Sequence, residues 1–421
     1  MTLCLANISI YFWFLFFRPI NHLFVDDWEI LENLSTENFG FNRTNTIPYN
    51  GASLFVARAL YLFTTNILNA GIATTSLILF LLYLVVLGYF AARITRGLSH
   101  RNFAIASIFV IGMNLNQYQN FTMPICWIWI LSTILFMFSY LLFINSAKRI
   151  NRLTLILILF VAPYVFIMGF IIPLTIFIAS VFSIVIKEFR KHSAIFLVAA
   201  LLSFALNYLV SIKASEATYG RLDGLESISK NPLNAAIFII ASFGSPFTPA
   251  SQFALPISII FGLLVALLLY TTVKKLPLLQ SLTNGDILIY GLLFHGLQLL
   301  GRFDGSVSSI INVSSPRYTS GSMILLVGIF LKFMNNPQSK QYIYVSVVLV
   351  AVMSISGFKT AWDYSSVRSL ASKKIENCIS SFGIDDPICL AKLDPGREIL
   401  SQEAFEKAID TISSLGKTER Q

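Results

Sequence analysis

The amino-acid sequence predicts an all-α polytopic membrane protein with about eleven transmembrane helices. Three observations lead to this fold class. Hydrophobic residues make up 56% of the 421 residues and charged residues only 12%, about half the charged fraction of a soluble protein. The mean hydropathy is +0.72. Apolar runs recur from residue 1 to residue 358 and are separated by segments that carry most of the charges.

The apolar runs define the predicted helices, although several are shorter than the ~20 residues that a span prefers. In chain order they cover residues 3–17, 71–92, 103–115, 123–144, 153–168, 171–186, 194–212, 253–273, 286–301, 319–334 and 342–358. The first run has no Lys or Arg before it and no small-residue cleavage site after it, so we expect a retained helix and not a signal peptide.

Two further apolar segments have features that do not fit a complete span. Segment 50–68 carries Arg58 in its middle, which is costly at the bilayer centre and favours an amphipathic helix in the membrane interface. Segment 234–248 ends in a run of Gly, Ser and Pro from Gly244 to Pro249. That ending predicts a short helix that enters the membrane edge and breaks.

The Lys and Arg residues predict the orientation. Thirteen of them fall in the loops at 93–101, 148–152, 187–191, 274–275 and 332–340. The positive-inside rule assigns these loops to the cytoplasm, together with the N-terminus. The long loops 18–70, 213–252 and 302–318 and the C-terminus are then outside. Function usually belongs to the side with the large loops, so we expect the chemistry to face away from the cytoplasm.

The chain is predicted to divide into a transmembrane domain, residues 1–358, and a small outer C-terminal domain, residues 359–421. Turn signals and a capped helix from Ser401 to about Leu415 mark the second domain. Cys378 and Cys389 both lie in it, and a disulfide between them would add about 3 kcal/mol of stability. Two free thiols are the alternative.

The first candidate site is an acidic stretch directly after the first helix. Asp26, Asp27 and Glu29 place three carboxylates at the mouth of a membrane helix. A carboxylate at a membrane–water boundary stays ionised while it faces a partly dry cavity, which suits a general base. The alternative is a solvated acidic loop that stops the first helix from sliding inward.

The second candidate site contains Arg302 and the stretch Arg317-Tyr318. Both arginines are on the predicted outer side, where the positive-inside rule disfavours them. The guanidinium fork matches a phosphate in two-point geometry, and Arg317 begins a helix, whose N-terminus favours anions. The pair is a candidate for binding the phosphate of a lipid-linked donor. In the alternative interpretation both arginines extend to the lipid headgroups.

Two weaker candidates follow. The loop 213–232 includes Tyr219 and Arg221, whose side chains could line a sugar site or remain solvated. The polar turn 114–120 is predicted to face outward, where it could bind sugar hydroxyls or cap two helices.

Several other functions have no signal in the sequence. No P-loop, GxGxxG or metal-spacing His/Cys cluster occurs, so we expect neither a cofactor nor a metal. The net charge of +9 is spread over small clusters between apolar runs, which does not indicate nucleic-acid binding.

The layout resembles the GT-C class of integral membrane glycosyltransferases. The shared features are a first helix, an outer loop with the acidic pair Asp26-Asp27, an interfacial helix and many spans. The stretch Ser315-Pro316-Arg317-Tyr318-Thr319 is similar to the Ser-Arg-Tyr-Thr segment of bacterial members. It departs from them in having Pro316 directly before Arg317. Size and topology look most like the phage-borne glucosyltransferases that convert serotype by decorating O-antigen.

The resemblance implies a function at the periplasmic face of the bacterial inner membrane. The donor would be a sugar, glucose by the closest likeness, on polyprenyl phosphate, and the acceptor O-antigen or a related lipid-linked glycan. Asp26 or Asp27 would be the general base, with Glu29, Arg58, Tyr219 and Arg221 as possible substrate-binding residues. Arg317, Arg302 and Tyr318 would bind the donor phosphate, and the anomeric configuration would invert.

Three other functions remain open on the sequence. A flippase or transporter of lipid-linked oligosaccharide would need charged or broken helices near the middle of the membrane. An O-antigen polymerase would use the same type of lipid, with its largest outer loop late in the chain. A membrane acyltransferase would need a catalytic histidine, for which His22 and His295 are the candidates.

Overall fold

Long apolar helices that pack side by side make up most of the described chain. The computed structural model describes residues 2–18, 48–49, 52–53, 55–64, 68, 71–98, 100–122, 126–165, 167–185, 192–214, 223–249, 253–274, 286–313, 315, 318–334 and 339–382.

Within these residues the helices overlap the predicted apolar runs, and several short elements are added. In the described part of the chain they are α1 Thr2–Phe17, α2 Phe55–Leu62, α3 Ile72–Ile94, α4 Arg101–Gly112, α5 Tyr118–Thr122, α6 Trp127–Ile144, α7 Arg149–Val161, α8 Ile171–Val185, α9 Ser193–Ala214, α10 Asp223–Lys230, α11 Pro232–Gly244, α12 Ala254–Lys274, α13 Asp286–Arg302, α14 Val307–Asn312, α15 Thr319–Met334 and α16 Ser339–Phe382. Single 3₁₀ turns are at Leu115–Gln117, Ala162–Tyr164, Ile167–Phe170 and Ser245–Phe247. Two strands of two residues each, β1 Pro48–Tyr49 and β2 Ala52–Ser53, pair antiparallel, with Pro48 opposite Ser53.

The helical class that the sequence predicts is confirmed. Four helices of the described part are long and apolar enough to cross a membrane: Ile72–Ile94, Trp127–Ile144, Ala254–Thr272 and Tyr344–Val367. Six further apolar helices have 10–17 residues. The chain is therefore a helical membrane protein, and the finer count of eleven spans stays a prediction.

The outer surfaces of the long helices are apolar, as expected for contact with lipid. On α12 the side chains of Ile260, Leu263 and Leu267 are all more than half exposed, and 17% of the candidate span is buried. Such exposure would favour aggregation in water, whereas in a bilayer acyl chains cover the same surface.

Aromatic side chains fill the contact between the first helix and its neighbours. Tyr11 of α1 lies 5.2 Å from Phe80 of α3 and 5.0 Å from Phe121 of α5, between ring centroids. Tyr83 of α3 meets Phe121 edge-on at 5.2 Å. These rings are fully or almost fully buried, so α1 is an integral part of the helix bundle.

The helix α11 ends and turns where the sequence predicts a break. It stops at Gly244, and the buried 3₁₀ turn Ser245–Phe247 follows. Gly244 and Gly262 allow α11 and α12 to approach closely. A Cβ atom on Gly262 would lie 1.8 Å from Ile240 O, and one on Gly244 would lie 1.8 Å from Ser258 O. Only glycine fits a crossing this tight.

The last helix corrects the prediction that the final span ends at residue 358. Helix α16 continues without interruption to Phe382. The apolar run ends near residue 358, but no Gly or Pro occurs from Lys359 to Phe382, so nothing in the backbone stops the helix before Gly383. The predicted domain boundary at 358/359 therefore lies inside one helix, and the division into two domains stays a prediction.

Other predicted helix ends shift by a few residues. The predicted helix 123–144 begins at Trp127, and the predicted helix 153–168 is α7 followed by two 3₁₀ turns. The first of these turns contains Pro163, which cannot donate the backbone hydrogen bond that would continue an α-helix.

Candidate functional site

The residues predicted from sequence divide into those that the structure describes and those that it does not. Asp26, Asp27, Glu29, Tyr219, Arg221, Arg317, His22 and Cys389 lie outside the described residues. Arg58, Arg302, Tyr318 and His295 are described, and Cys378 is a backbone position within α16.

The polar turn 114–120, predicted to face outward, is instead buried. All seven of its residues have exposed fractions of 7% or less. We call it the polar segment. Its burial is possible because the side-chain amide nitrogens of Asn114, Asn116, Gln117 and Asn120 donate hydrogen bonds inside the bundle.

The broken helix α11 supplies the main acceptor for the polar segment. Asn114 Nδ2 donates to Pro246 O at 2.9 Å, and Asn116 Nδ2 donates to the same oxygen. Asn116 Nδ2 also lies 3.3 Å from Ser356 Oγ on α16. Gly357 lets α16 come this close, because a Cβ there would lie 2.5 Å from Asn114 Oδ1. The helical structure is interrupted at 114–117 and at 245–247. The side chains of the first interruption therefore supply hydrogen bonds to the backbone of the second.

Both ends of the polar segment are tied to other helices. Tyr11 Oη of α1 donates to Asn114 O at 2.8 Å. Asn120 Nδ2 donates to Ser320 Oγ, in the first turn of α15, at 2.8 Å. The segment thus connects the first helix with the start of α15.

A second buried polar cluster surrounds His295 of α13. Ser242 Oγ lies 2.8 Å from His295 Nδ1, and Ser322 Oγ lies 3.4 Å from Nε2. Ser322 Oγ also donates to Ser242 O at 2.8 Å and lies 3.1 Å from Ser245 Oγ. Both ring nitrogens of His295 are therefore engaged inside the protein, as in a histidine that holds helices together.

One face of α13 carries polar residues from the His295 cluster to the end of the helix. His295, Gln298 and Arg302 follow at spacings of three and four residues, which places them on the same side of a helix. Gln298 is 1% exposed, and its side-chain amide lies within hydrogen-bonding reach of His295. Arg302 is exposed at the helix end.

The structure brings the two described phosphate-site candidates together. The guanidinium carbon of Arg302 lies 5.8 Å from the centroid of the Tyr318 ring. Tyr318 packs edge-on against Trp129 of α6 at 5.4 Å and is 5% exposed. An aromatic ring in this position favours a cation beside it, so Arg302 is held near the residue that directly follows Arg317.

A short turn follows Arg302 and is organised by Asp304. The Asp304 Oδ1 atom accepts a hydrogen bond from Ser306 N at 2.8 Å. Hydrogen bonds from the side chain and the backbone of Ser306 lower the pKa of the Asp304 carboxyl from its ordinary value. Gly305 has φ +88°, a conformation that favours glycine. The turn thus keeps an ionised carboxylate close to Arg302 in sequence.

Arg58 is more deeply buried than the sequence suggests. It is 1% exposed, on helix α2, which packs against α6. No Asp or Glu is among the buried side chains of the described chain. A buried guanidinium is stable only when hydrogen bonds or an anion compensate its charge.

Arg18 fastens the end of α1 to α16. Its Nη1 donates to Trp362 O at 3.2 Å and to Ser365 Oγ at 3.0 Å. Its guanidinium carbon also lies 4.2 Å from the centroid of the Trp362 ring and 4.7 Å from that of Trp13. The acidic stretch begins eight residues after this fixed point.

The weaker candidate at 213–232 is partly helical. Glu226 and Lys230 of α10 form an exposed ion pair one helical turn apart. The arrangement agrees with a solvated segment at these two positions.

Comparison with known proteins gives no match: no family model, no curated protein and no solved structure matches the chain. Among the described residues, no group of three or more His, Cys, Asp or Glu could hold a metal ion. A functional assignment therefore depends on the geometry of the residues themselves and on the resemblance noted in the sequence.

Sequence reasoning missed Gln298 and the clamp formed by Arg18 and Trp362. A signal for Gln298 was present, because His, Gln and Arg at helical spacing in an otherwise apolar run indicate a polar face. No local signal pairs Arg18 with Trp362, since they are far apart in the chain.

Proposed function

We propose that the protein is a membrane glycosyltransferase that moves a sugar, glucose, from a polyprenyl-phosphate donor to O-antigen or a related surface glycan. The reaction takes place at the periplasmic face of the bacterial inner membrane. The N-terminus is cytoplasmic and the C-terminus periplasmic, about eleven spans crossing the membrane between them.

The observation that carries the proposal is the pair of hydrogen bonds that the polar segment makes with α1 and with α15, the helices next in sequence to the two stretches that resemble the GT-C class. Its first residue, Asn114, is bonded to Tyr11 of α1, the helix that leads into the acidic stretch. Its last residue, Asn120, is bonded to Ser320, three residues after Arg317. The helix that precedes the acidic stretch and the helix that follows Arg317 in the chain therefore both contact one buried polar segment, which supports a shared site.

The proposed reaction is a direct displacement. Asp26 or Asp27 takes the proton of the acceptor hydroxyl, because a hydroxyl is a poor nucleophile near neutral pH. The hydroxyl oxygen attacks the anomeric carbon of the donor, and the bond from that carbon to the phosphate oxygen breaks. The electron pair leaves with polyprenyl phosphate, whose charge Arg317 and Arg302 stabilise.

Expression in a strain with a defined O-antigen tests the proposal. The lipopolysaccharide sugars should gain a new residue, detected by mass spectrometry. Arg317→Lys keeps the charge but loses the two-point fork, so transfer should fall at least ~10-fold. Arg96→Lys, at the predicted cytoplasmic end, is the matched control and should leave transfer unchanged. An unmodified O-antigen with the wild type, at normal membrane levels of protein, would contradict the proposal. Full activity of Arg317→Lys would remove Arg317 from the donor site.

One observation favours a second candidate, a flippase or transporter of lipid-linked oligosaccharide. Transporters bind their substrates at interrupted helices inside the membrane, and here the interruptions at 114–117 and 245–247 meet at Pro246 O. Reconstituted vesicles with a fluorescent lipid-linked sugar discriminate between the two functions. A transporter moves the intact lipid across the bilayer, whereas the glycosyltransferase releases polyprenyl phosphate only when the acceptor glycan is present.

A further inference from the structure

The second half of α16 carries a row of exposed side chains along one side of the helix. They follow one another at spacings of three and four residues: Val367, Leu370, Lys374, Asn377 and Ser381. We call this row the exposed stripe of α16. Val367 is 67% exposed and Leu370 57%. At 1.5 Å per residue the stripe is about 21 Å long.

The exposed stripe begins where the membrane-spanning part of α16 ends. Val367 is the last residue of the candidate span Tyr344–Val367. Leu370 and the residues after it therefore lie past the hydrocarbon core of the bilayer. Acyl chains do not cover an aliphatic side chain at that position, so its burial against another apolar surface is favourable.

Two lysines make the exposed stripe positive. Lys373 and Lys374 are exposed, and neither makes a hydrogen bond or an ion pair with any other residue of the described chain. Lys359 of the same helix is instead paired with Asp363 at 2.6 Å. The stripe thus combines an apolar part with unpaired cations, which suits a partner that is both apolar and acidic.

A segment of that composition follows α16 in the same chain. The sequence predicts a capped helix from Ser401 to about Leu415. Its apolar residues recur at helical spacing and share one face: Phe405, Ala408, Ile409, Ile412 and Leu415. A helix of this range is about 22 Å long, which matches the exposed stripe.

The charge of the predicted helix complements that of the exposed stripe. Residues 401–415 include three acidic residues and one basic residue. Such a segment is attracted to Lys373 and Lys374. Anionic membrane lipids repel it, which disfavours a position of this helix on the bilayer surface.

The connecting chain allows the predicted helix to fold back onto α16. Eighteen residues, 383–400, lie between the two helices and reach up to ~60 Å when extended. Gly383 and Asp386-Pro387 are turn signals directly after α16. In an antiparallel arrangement Ser401 lies beside the end of α16, and Ile412 is level with Leu370.

We propose that the predicted helix 401–415 docks antiparallel on the exposed stripe of α16. Its apolar face covers Val367 and Leu370, and its acidic residues lie near Lys373 and Lys374. The inference goes beyond glycosyl transfer and does not depend on it, because it assigns a binding surface to the C-terminal tail. The docked helix braces the part of α16 that extends past the membrane.

Disulfide cross-linking of the full-length protein in isolated membranes tests the docking. Leu370→Cys and Ile412→Cys are combined in a chain that also carries Cys378→Ser and Cys389→Ser, which removes the native thiols of this region. Mild oxidation should join the two introduced thiols within one chain, as identified by mass spectrometry of the linked peptides.

The matched control uses the opposite side of the predicted helix. Ser414→Cys takes the place of Ile412→Cys and should cross-link to Leu370→Cys at least ~5-fold more slowly, because a disulfide needs its two Cβ atoms about 4 Å apart.

Reversal of charge tests the electrostatic part of the docking. Lys373→Glu together with Lys374→Glu should slow the cross-link between Leu370→Cys and Ile412→Cys by about 2- to 10-fold, since like charges then face each other. Glu403→Lys and Glu406→Lys in the same chain should restore the rate. No effect of the lysine changes would remove charge from the proposal.

The reactivity of position 370 gives a second measurement, which needs no disulfide. Leu370→Cys alone should react slowly with a water-soluble maleimide. Addition of Ile409→Asp and Ile412→Asp should release the helix and raise the reaction rate at least ~5-fold, since two buried apolar side chains are lost. Ser414→Asp, on the other side of the predicted helix, should leave the rate unchanged.

Three results would overturn the docking. Equal cross-linking by Ile412→Cys and Ser414→Cys would mean that the two segments only meet at random. Cross-links between two chains instead of within one would identify a second copy of the protein as the partner. A maleimide rate that Ile409→Asp and Ile412→Asp do not change would show that headgroups or water contact the stripe.

Discussion

At the scale of the residue, the burial of Arg58 constrains the acidic stretch that precedes it in the chain. Arg stays charged at any pH at which the protein is folded, so its guanidinium at 1% exposure requires compensation. Asp26 and Asp27 are adjacent, and their side chains cannot easily point to the same place. We expect one of them to face the substrate and the other to bond backbone or the helix α2, where Arg58 is a candidate partner.

Replacement of each Asp by Asn tests this division of roles. The variant of the general base keeps its size but cannot take a proton, so transfer should fall by about 10²–10⁴-fold. We expect Asp26 to be the base, because Trp28 and Glu29 crowd Asp27. The Asp27→Asn variant should lose less transfer, and mainly because the base is misplaced.

The measurement is O-antigen modification in cells, with the membrane level of each variant determined in parallel. Normal modification by both single variants and by the double variant would show that the acidic pair only marks the membrane boundary.

A pH effect follows from Asp304. Its pKa is lowered in the folded protein by hydrogen bonds from the side chain and the backbone of Ser306. A lowered folded pKa means that the carboxylate adds stability above its unfolded pKa, and this contribution disappears as the pH falls through the folded pKa. The melting temperature of the wild type should therefore exceed that of Asp304→Asn at neutral pH, and the difference should shrink in acid. A difference that does not change with pH would contradict the assignment.

At the scale of the element, the crossing of α11 and α12 depends on two glycines. A Cβ on Gly262 would lie 1.8 Å from a backbone oxygen, which cannot move without the helix. Gly262→Ala should therefore lower the free energy of unfolding by about 1–3 kcal/mol.

Gly296 of α13 is the control, because a Cβ there meets nothing within 4 Å. Gly296→Ala should be neutral or stabilising, since Ala favours the helix by about 1 kcal/mol. Thermal unfolding in detergent measures both variants. Equal melting temperatures for the two variants would mean that the helices separate at little cost.

The positions of the helices can be predicted from the sequence better than their ends and their contacts. Apolar runs predict where helices are, because burial in lipid or protein demands such runs. They do not predict the extension of α16 to Phe382, since its second half is polar and its contacts, such as that of Trp362 with Arg18, join residues far apart in the chain. The polar segment looks like an exposed loop because its partners, Pro246, Ser320 and Ser356, are far away in sequence. Single charged residues of the candidate site can be predicted from the sequence. Contacts between residues that are distant in the sequence cannot be predicted in this way.

At the scale of the whole molecule, basic residues gather at the end predicted to be cytoplasmic, where they also cap helices. Arg93 Nη2 donates to Asn145 Oδ1 at 3.1 Å, which joins the ends of α3 and α6. Arg152 Nη1 donates to Ser146 O at 3.1 Å and to Ala147 O at 3.0 Å, just past the end of α6. Cations at helix C-termini are favourable, so these residues contribute to stability as well as to orientation.

Reporter fusions test the predicted orientation. A reporter that is active only in the periplasm should be active after Gln421 and inactive at Arg96. The reason is the excess of Lys and Arg in one set of loops. The opposite pattern of activity would refute the predicted topology, and with it the periplasmic position of the acidic stretch.

The length of α16 has a mechanical consequence. Its 44 residues extend for about 66 Å, whereas the hydrocarbon core of a bilayer is about 30 Å thick. A continuous helix is stiff, so a tilt of α16 at Phe382 also displaces Trp362. Arg18, directly after α1, contacts Trp362, and the acidic stretch follows Arg18 in the sequence. A displacement of the last helix therefore reaches the end of α1, eight residues before the acidic stretch in the sequence.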